Sequence, residues 1–307
     1  MNDTNKFSFV ELSNSASEHI SAPNYSYWKS VFRKFFSSKI AIVMLCISLF
    51  VILMSIIHPM ISGYDPLALP NVNRPEMKMI RPNFQFWFGT DNSGDSLFDA
   101  VWLGTRNSLL IAFAATGITT TLGIIVGAFW GYSKKMDVFM IELYNIIANV
   151  PFTLLVLVLM YVLGPGIPQL IFALSCTSWL GTAYFIRVQV MIIRDREYNL
   201  ASRCLGTPTY KVILHNILPY LVSVIVTSVS RDVPSFISYE VFLSFLGMGL
   251  GVEDPSLGKM IQTYSTYMVT AGYVFWIPVC ISAIISVSLY VVGQKLADAS
   301  DPRTHMI

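Results

Sequence analysis

The sequence predicts an all-α integral membrane protein with about six transmembrane helices. Of the 307 residues, 54% are hydrophobic and only 12% are charged, against about 25% charged in an ordinary soluble domain. A helix needs about 20 apolar residues to cross a bilayer. Runs of that kind lie at 39–61, 107–131, 138–163, 167–192, 214–236 and 272–296. An even number of spans places both termini on one side of the membrane.

The distribution of basic residues predicts which side that is. Most Lys and Arg fall in segments that share a side with the N-terminus, for example Lys29, Arg33, Lys134 and Arg194. Cytoplasmic loops are enriched in these residues. We therefore expect a multi-pass protein of the plasma membrane with cytoplasmic N- and C-termini. Residues 1–38 lack a signal peptide's apolar core and cleavage site, so the first apolar run is expected to stay as an anchor.

The transmembrane domain is expected at 39–307 and begins with the first span. One segment precedes this span and another follows it. Residues 1–38 mix aromatic and basic side chains, a pattern typical of an interfacial helix on the inner leaflet; docking on a partner protein is the alternative. Residues 62–106 are expected to form a polar outer loop. Within it Asp91 and Asp95 imitate the start of a calcium-binding loop, but Trp102 stands where that loop needs glutamate, which favours an acidic turn.

The second span carries three glycines spaced by four residues, Gly123, Gly127 and Gly131. Small residues at this spacing let another helix approach closely, so we expect a helix-packing face and no chemical role.

The third span carries Glu142, Asn145 and Asn149 on one helical face. Polar groups are costly in lipid. We therefore expect this face to point into the helix bundle or a water-filled translocation path. The alternative is that Glu142 reaches the inner interface.

The fifth span carries Arg231 and Asp232 just before Pro234. Charges at membrane depth indicate a translocation path or gate; alternatively the span ends near residue 229 and the two charges lie at the interface. Residues 236–271 begin with an apolar stretch that includes Tyr239 and Glu240. We expect an outer re-entrant segment there, and these two residues are further candidates to line the path.

A polar, basic stretch at 197–219, here called the elbow, interrupts the apolar runs inside a predicted cytoplasmic loop at 193–219. Its first part contains good helix formers, and Gly206 suits the left-handed position that closes a helix. Thr207 and Pro208 are typical of an N-cap and first turn of a second helix. The elbow is thus predicted to be two short helices joined by a sharp turn.

The chain lacks the motifs of an energy source or a catalyst. No phosphate-binding loop, HExxH or GxSxG motif is present. The four cysteines and four histidines are scattered, which predicts no metal site, and a net charge of +2 without a basic cluster argues against nucleic acid as a partner. If the protein performs work, an ion gradient or an ATP-hydrolysing partner must drive it.

The elbow resembles the EAA loop of ABC-importer permeases. Leu200, Ala201 and Ser202 occupy the signature positions, Gly206 is the glycine, and Pro219 ends the Ile-Leu-Pro that completes the motif. The chain departs from the signature at two positions, where Leu200 replaces glutamate and Ser202 replaces alanine.

Further stretches match in order along the chain. The segments 88–94, 104–109, 243–249, 255–258 and 296–303 resemble the oligopeptide and dipeptide permease C-subunit family, of the Ami and Opp type found in Gram-positive bacteria. The family's usual third-span aspartate is Asn145 here, and Asp95 with Ser96 replace its Arg-Asp.

The resemblance implies a type I ABC importer permease fold with a cytoplasmic coupling helix. The implied partners are a homologous B-type permease, two cytoplasmic ABC ATPases that bind ATP and Mg, an extracellular substrate-binding lipoprotein, peptide cargo and membrane lipids. This chain would bind no cofactor and be non-catalytic. The ATPase-coupling residues implied are Glu197, Leu200, Ala201, Ser202, Arg203, Gly206, Thr207, Pro208 and Pro219.

Two other functions stay open. A permease of the same family could import another cargo, such as nickel or a glycoside. An ion-driven secondary transporter could use Glu142, Asn145, Arg231 and Asp232 as an ion path, although the sequence lacks the internal inverted repeat typical of such proteins.

Overall fold

The computed structural model describes residues 26–301 except 69, 70, 72 and 252. Most of the predicted N-terminal segment and the tail at 302–307 therefore lie outside the described residues. Within the described part the secondary structure is helical, apart from an isolated bridge between Thr90 and Ser96. The helices are α1 (Tyr27–Phe36), α2 (Lys39–Ser62), α3 (Leu97–Tyr132), α4 (Lys134–Ala148), α5 (Phe152–Leu163), α6 (Ile167–Arg194), α7 (Glu197–Cys204), α8 (Thr209–Phe245), α9 (Leu257–Tyr264) and α10 (Gly272–Ser300).

Five of these helices are long and apolar enough to cross a membrane, namely α2, α3, α6, α8 and α10. A sixth span is formed if α4 and α5 are taken together, although they meet at an angle of 79°. Pro151 lies at this break as the residue before α5. It has no N–H to donate and disfavours helical backbone in the residue before it, which explains why the third apolar run does not form one straight helix.

Two predicted spans are longer than expected. The second begins at Leu97 because the Ser96 side chain caps the helix by accepting from the Asp99 N–H. The fifth continues through Pro234 to Phe245. The prediction that residues 236–245 open a separate outer segment is therefore wrong: this segment begins at 246 and contains α9.

The three spaced glycines lie where α3 packs on α6. A Cβ added to Gly123 would stand 2.6 Å from the Thr182 methyl carbon, and one on Gly131 would stand 2.6 Å from the Arg187 carbonyl oxygen. At Gly127 an added Cβ would meet the Ala183 carbonyl oxygen. Only glycine lets the two backbones approach this closely.

The ends of the helices define two opposite faces. On one face α1 packs its buried Val31 and Phe35 against the start of α2 and the end of α10, and Tyr27 donates a hydrogen bond to the Ser300 carbonyl at 2.7 Å. The turn into α7 lies on this face too, since Asp301 lines a groove together with Arg196. The outer loop, α9 and the start of α10 form the opposite face.

Candidate coupling surface and translocation cavity

The left-handed turn predicted in the elbow is present after α7. Gly206 has φ of 79° and follows the C-cap residue Leu205. The Thr207 N–H donates to the Ser202 carbonyl at 3.1 Å, and the Gly206 N–H donates to the Arg203 carbonyl at 2.9 Å. These two bonds are those of a Schellman motif, which satisfies the last carbonyls of the helix and fixes the exit angle of the chain.

The second half of the elbow differs from the prediction. Pro208 is the N-cap of α8 without a side-chain capping bond, so Thr207 is not the N-cap. The following helix does not stay short. It runs through a π-helical turn at Val212–Ile217 and a 3-10 turn at Leu218–Leu221, which contains Pro219, into the fifth span. The elbow is therefore one short helix joined directly to the start of a span.

A set of polar contacts attaches α7 to the ends of α3 and α6. Arg194 donates to the Gly131 carbonyl at 2.8 Å, and Arg203 donates to the Arg194 carbonyl at 2.8 Å. Asp195 accepts from both arginines, at 3.1 Å from Arg194 and 3.2 Å from Arg203. Hydrogen bonds from Arg194 and then Arg203 hold the pKa of the Asp195 carboxyl below its usual range. The carboxylate therefore stays charged at neutral pH.

Two asparagines complete this attachment. Asn199, which is fully buried, donates from its side chain to the Ile193 carbonyl at 2.9 Å. Asn216 donates from its side chain to the Ser202 hydroxyl at 3.1 Å, which joins α8 to α7. Displacing α7 would therefore pull on both α6 and α8.

The elbow exposes several apolar side chains, although its sequence is mostly polar. Leu200 is 45% exposed and Leu205 is 87% exposed, while Ala201 beside them is exposed as well. Tyr210 and Leu214 extend the exposed apolar surface along the start of α8. Exposed apolar groups on an otherwise polar loop are consistent with a protein contact. Glu197, Pro208 and Pro219 are also exposed, and Thr207 is half-buried.

A cavity of about 280 Å³ lies between α3, α5, α6 and α8. Arg231, Asp232 and Tyr239 line it from α8, together with hydroxyl groups of the neighbouring helices. The Arg231 side chain is 60% exposed, lies 3.8 Å from the Asp232 carboxylate and stands over the Phe185 ring at 5.9 Å. The helix itself continues to Phe245, and the alternative in which the membrane span ends near residue 229, with the two charges at the interface, stays open.

The polar face of α4 does not point into this chain's own bundle. Glu142 and Asn145 are exposed, and Asn149 follows the last residue of the helix and is exposed as well. The Asn149 side chain donates to the Asn145 carbonyl at 2.6 Å. The expectation that the face packs inside the chain is therefore wrong, and its assignment to a water-filled path stays a prediction.

Glu240 does not line the cavity, contrary to its selection as a path residue. Its side chain is fully buried and accepts hydrogen bonds from Ser108 at 2.8 Å, Ser244 at 3.0 Å and Ser256 at 2.5 Å. Helical spacing explains the difference from Tyr239, because adjacent residues lie about 100° apart around a helix. Glu240 therefore faces α3 and α9.

Sequence reasoning also missed an ion pair between α4 and α6. Arg187 bonds both carboxylate oxygens of Asp137, one of them at 2.9 Å, and the Trp130 indole donates to the same carboxylate at 2.8 Å. An acidic residue at the start of an apolar run was the available signal. Within the described residues, no group of three or more His, Cys, Asp or Glu is arranged to hold a metal ion.

Comparison with known families and proteins agrees with this architecture. Residues 119–305 match the family "Binding-protein-dependent transport system inner membrane component". Residues 26–78 match the "N-terminal TM domain of oligopeptide transport permease C".

Individual relatives match over nearly their whole length. The chain is 54% identical to the oligopeptide transport system permease protein AmiD of Streptococcus pneumoniae, over 99% of this chain and 98% of that protein. It is 34% identical to the oligopeptide permease protein OppC of Bacillus subtilis, over 93% of each. It is also 33% identical to the dipeptide permease protein DppC of that organism, over 94% of this chain and 90% of the relative.

A solved structure shares the fold. A chain of the MetNI methionine ABC transporter in inward-facing conformations matches with a TM-score of 0.52 at 18% identity, over 65% of this chain and 97% of its own length. The protein described here thus belongs to the family of inner membrane components of binding-protein-dependent transport systems, as a multi-pass permease subunit of an ABC importer.

Proposed function

We propose that this permease imports oligopeptides. This choice of cargo is supported by the relatives that match along nearly the whole chain, because they are named as oligopeptide or dipeptide permeases. The complex would contain a homologous B-type permease, two cytoplasmic ABC ATPases that bind ATP and Mg²⁺, and an extracellular lipoprotein that delivers the peptide. This chain contributes half of the path and no catalysis.

The elbow is the part of this chain that contacts a partner ATPase. Through this contact, ATP hydrolysis in the partner drives conformational change of the translocation path. The observation that carries this role is the combination of two exposed apolar side chains, Leu200 and Leu205, with a helix whose end is fixed by Gly206. A surface alone would bind an ATPase without transmitting movement. Here Arg203 and Asn216 attach α7 to the ends of α6 and α8, so that a shift of α7 tilts both spans.

We propose the orientation of the chain from the basic residues of the elbow. The arginines and lysines of the elbow belong on the cytoplasmic side, where such residues concentrate. That orientation places the outer loop and α9 outside the cell. It also places α1 and the described end of α10 in the cytoplasm, with both termini.

The cavity beside Arg231 and Asp232 is the part of the path that this chain supplies. Its opposite charges and hydroxyl groups can replace the hydration of a peptide backbone and its charged ends. The exposed Glu142 and Asn145 on α4 would be costly to present to lipid. They are assigned to the water-filled boundary with the second permease.

The test is reconstitution. The chain purified alone should neither hydrolyse ATP nor transport. In liposomes with a B-type permease, two ATPases and a binding lipoprotein, it should take up labelled peptide and show ATPase activity that peptide stimulates. Arg231→Ala is expected to lower uptake at least fivefold without lowering the yield of the complex.

Three results would contradict the proposal. Transport by the chain alone, driven by an ion gradient, would contradict the ABC mechanism. Uptake of nickel or a glycoside instead of peptide by the complete complex would contradict the cargo. Uptake that Arg231→Ala leaves unchanged would contradict the path.

A further inference from the structure

A buried carboxylate joins three elements on the outer half of the protein. Ser108 of α3, Ser244 of α8 and Ser256, the N-cap of α9, all donate to Glu240. We call these four residues the clasp. Each of its side chains is at least 99% buried, so that the carboxylate has exchanged water for three hydroxyl donors.

The same serines also hold the backbone of the outer segment. Ser108 accepts from the Leu257 N–H at 3.1 Å, and Ser256 accepts from the Lys259 N–H at 3.1 Å. The side chain of Asn107, the residue before Ser108, donates to the Pro255 carbonyl at 2.7 Å. The start of α9 is therefore attached to α3 through side chains and to α8 through Glu240.

The start of α9 packs closely on α8 at Gly258. A Cβ added to Gly258 would stand 2.6 Å from the Val241 Cα and 2.8 Å from a Glu240 carboxylate oxygen. If α9 moved away, the carboxyl group of Glu240 would lose hydroxyl donors while still buried, and a buried polar group without hydrogen-bond partners is unfavourable. Separating α9 from the outer end of α8 therefore costs free energy, which favours movement of the two together.

The clasp lies next to the cavity wall. Tyr239, the neighbour of Glu240, lies about 100° further around α8, where it lines the cavity and packs on Phe152 of α5 at 4.8 Å between ring centroids. At its far end α9 contacts the outer loop, because Tyr264 donates to the Asp91 carboxylate at 3.1 Å. A continuous set of contacts thus runs from the cavity wall to the outer surface.

We propose that Glu240 is a positioning residue for transport, which fastens α9 to α3 and α8 so that the outer surface follows each movement of the cavity wall. The proposal rests on the proposed function for its transport readout. The attachment of α9 is measured separately, without cargo. A failure of this proposal can therefore be distinguished from a failure of the proposed function.

The test compares Glu240→Ala with Glu240→Gln in the assembled complex. Hydrogen–deuterium exchange at 257–264 should rise at least tenfold in Glu240→Ala, because α9 loses its attachment. Peptide imported per ATP hydrolysed should fall at least fivefold. Glu240→Gln keeps the shape of the side chain and one acceptor oxygen, and its NH2 group can donate to a serine hydroxyl in place of the second oxygen. It should return both quantities to within threefold of the wild type.

Single hydroxyl deletions provide the second set of variants in case Glu240→Ala does not assemble. Ser108→Ala and Ser256→Ala should each raise exchange at 257–264 about threefold and lower uptake per ATP. The matched control is Ser288→Ala, since Ser288 is equally buried but donates within α10 to the Ile285 carbonyl. It should change neither quantity.

Unchanged exchange at 257–264 in Glu240→Ala, or in both serine variants if that chain does not assemble, would overturn the fastening. Raised exchange with unchanged uptake per ATP would overturn the role in transport. A Glu240→Gln variant as defective as Glu240→Ala would also overturn the proposal, because the charge itself would then be required. If the wild-type complex imported no peptide, the exchange measurements would still decide the fastening while the proposed function failed.

Discussion

Replacing Gly206 with alanine is expected to weaken the link between ATP hydrolysis and transport while leaving the membrane domain folded. Gly206 has φ of 79° and forms the Schellman turn that ends α7. A Cβ at this position would meet no atom within 4 Å. The substitution therefore tests backbone conformation alone, without a steric clash.

The size of the effect follows from the left-handed backbone. This conformation costs an L-residue about 1–2 kcal/mol, which lowers the population of the native turn by a factor of roughly 5 to 30 relative to competing turns. Valine should cost more, since its branched Cβ is poorly tolerated at positive φ. Asparagine should cost least, because its side chain is compatible with this region.

The assay is peptide uptake per ATP hydrolysed by the reconstituted complex. We expect a loss of threefold or more in Gly206→Ala, a larger loss in Gly206→Val and nearly normal coupling in Gly206→Asn. Gly63→Ala is the matched control, because Gly63 also has positive φ and open space around it but lies at the far end of α2. Normal coupling in Gly206→Val would refute the reasoning, as would an equal loss in Gly63→Ala.

Two further predictions concern stability. Gly127→Val should destabilise the chain by about 1–3 kcal/mol, because its Cβ would stand 2.9 Å from the Ile186 Cβ. Thermal unfolding in detergent measures this change. The control is Gly117→Ala, which should be neutral because the added Cβ meets open space. Burial, together with the nearby Asp91 charge, raises the pKa of Asp95 above its ordinary value, and one of its oxygens has no hydrogen-bond partner. Folding then favours the protonated form, so stability should rise as the pH falls through the raised pKa. Asp95→Asn should raise the melting temperature at pH 7.5 and abolish this rise, and a pH dependence unchanged in that variant would contradict the assignment.

Features that depend on local sequence could be predicted. Apolar runs of sufficient length identified the spans, and the spacing of small residues such as Gly127 identified a face that packs on another helix. Gly206 was identified as a left-handed turn because few other residues suit that conformation. For the spans and the Gly206 turn, the signal and its cause lie within a few residues of one another, whereas the glycine spacing predicts a packing face without identifying the partner helix.

Features that depend on distant partners could not be predicted. Glu240 is an ionisable residue in an apolar stretch, which is typical of residues that line a translocation path. Its environment, however, is set by Ser108, 132 positions earlier in the sequence. The fifth span was predicted to end at 236, just after Pro234, yet α8 passes through this proline and continues to Phe245. A long packed helix tolerates the loss of one backbone bond. Likewise the ion pair of Asp137 with Arg187 exists only once α4 and α6 are adjacent.

The π-helical turn at Val212–Ile217 has a consequence for how the chain tolerates insertions and deletions. Such a turn is wider than an α-helical turn by about one residue, and each residue of an α-helix advances the chain by about 100°. Deleting one residue between 212 and 217 would let the turn relax to α-helix without disturbing the spans, whereas deleting one residue within 222–230 would rotate everything after it. The turn therefore sets the rotational phase between the elbow and Arg231 of the cavity, and provides the place where a change of chain length can be absorbed.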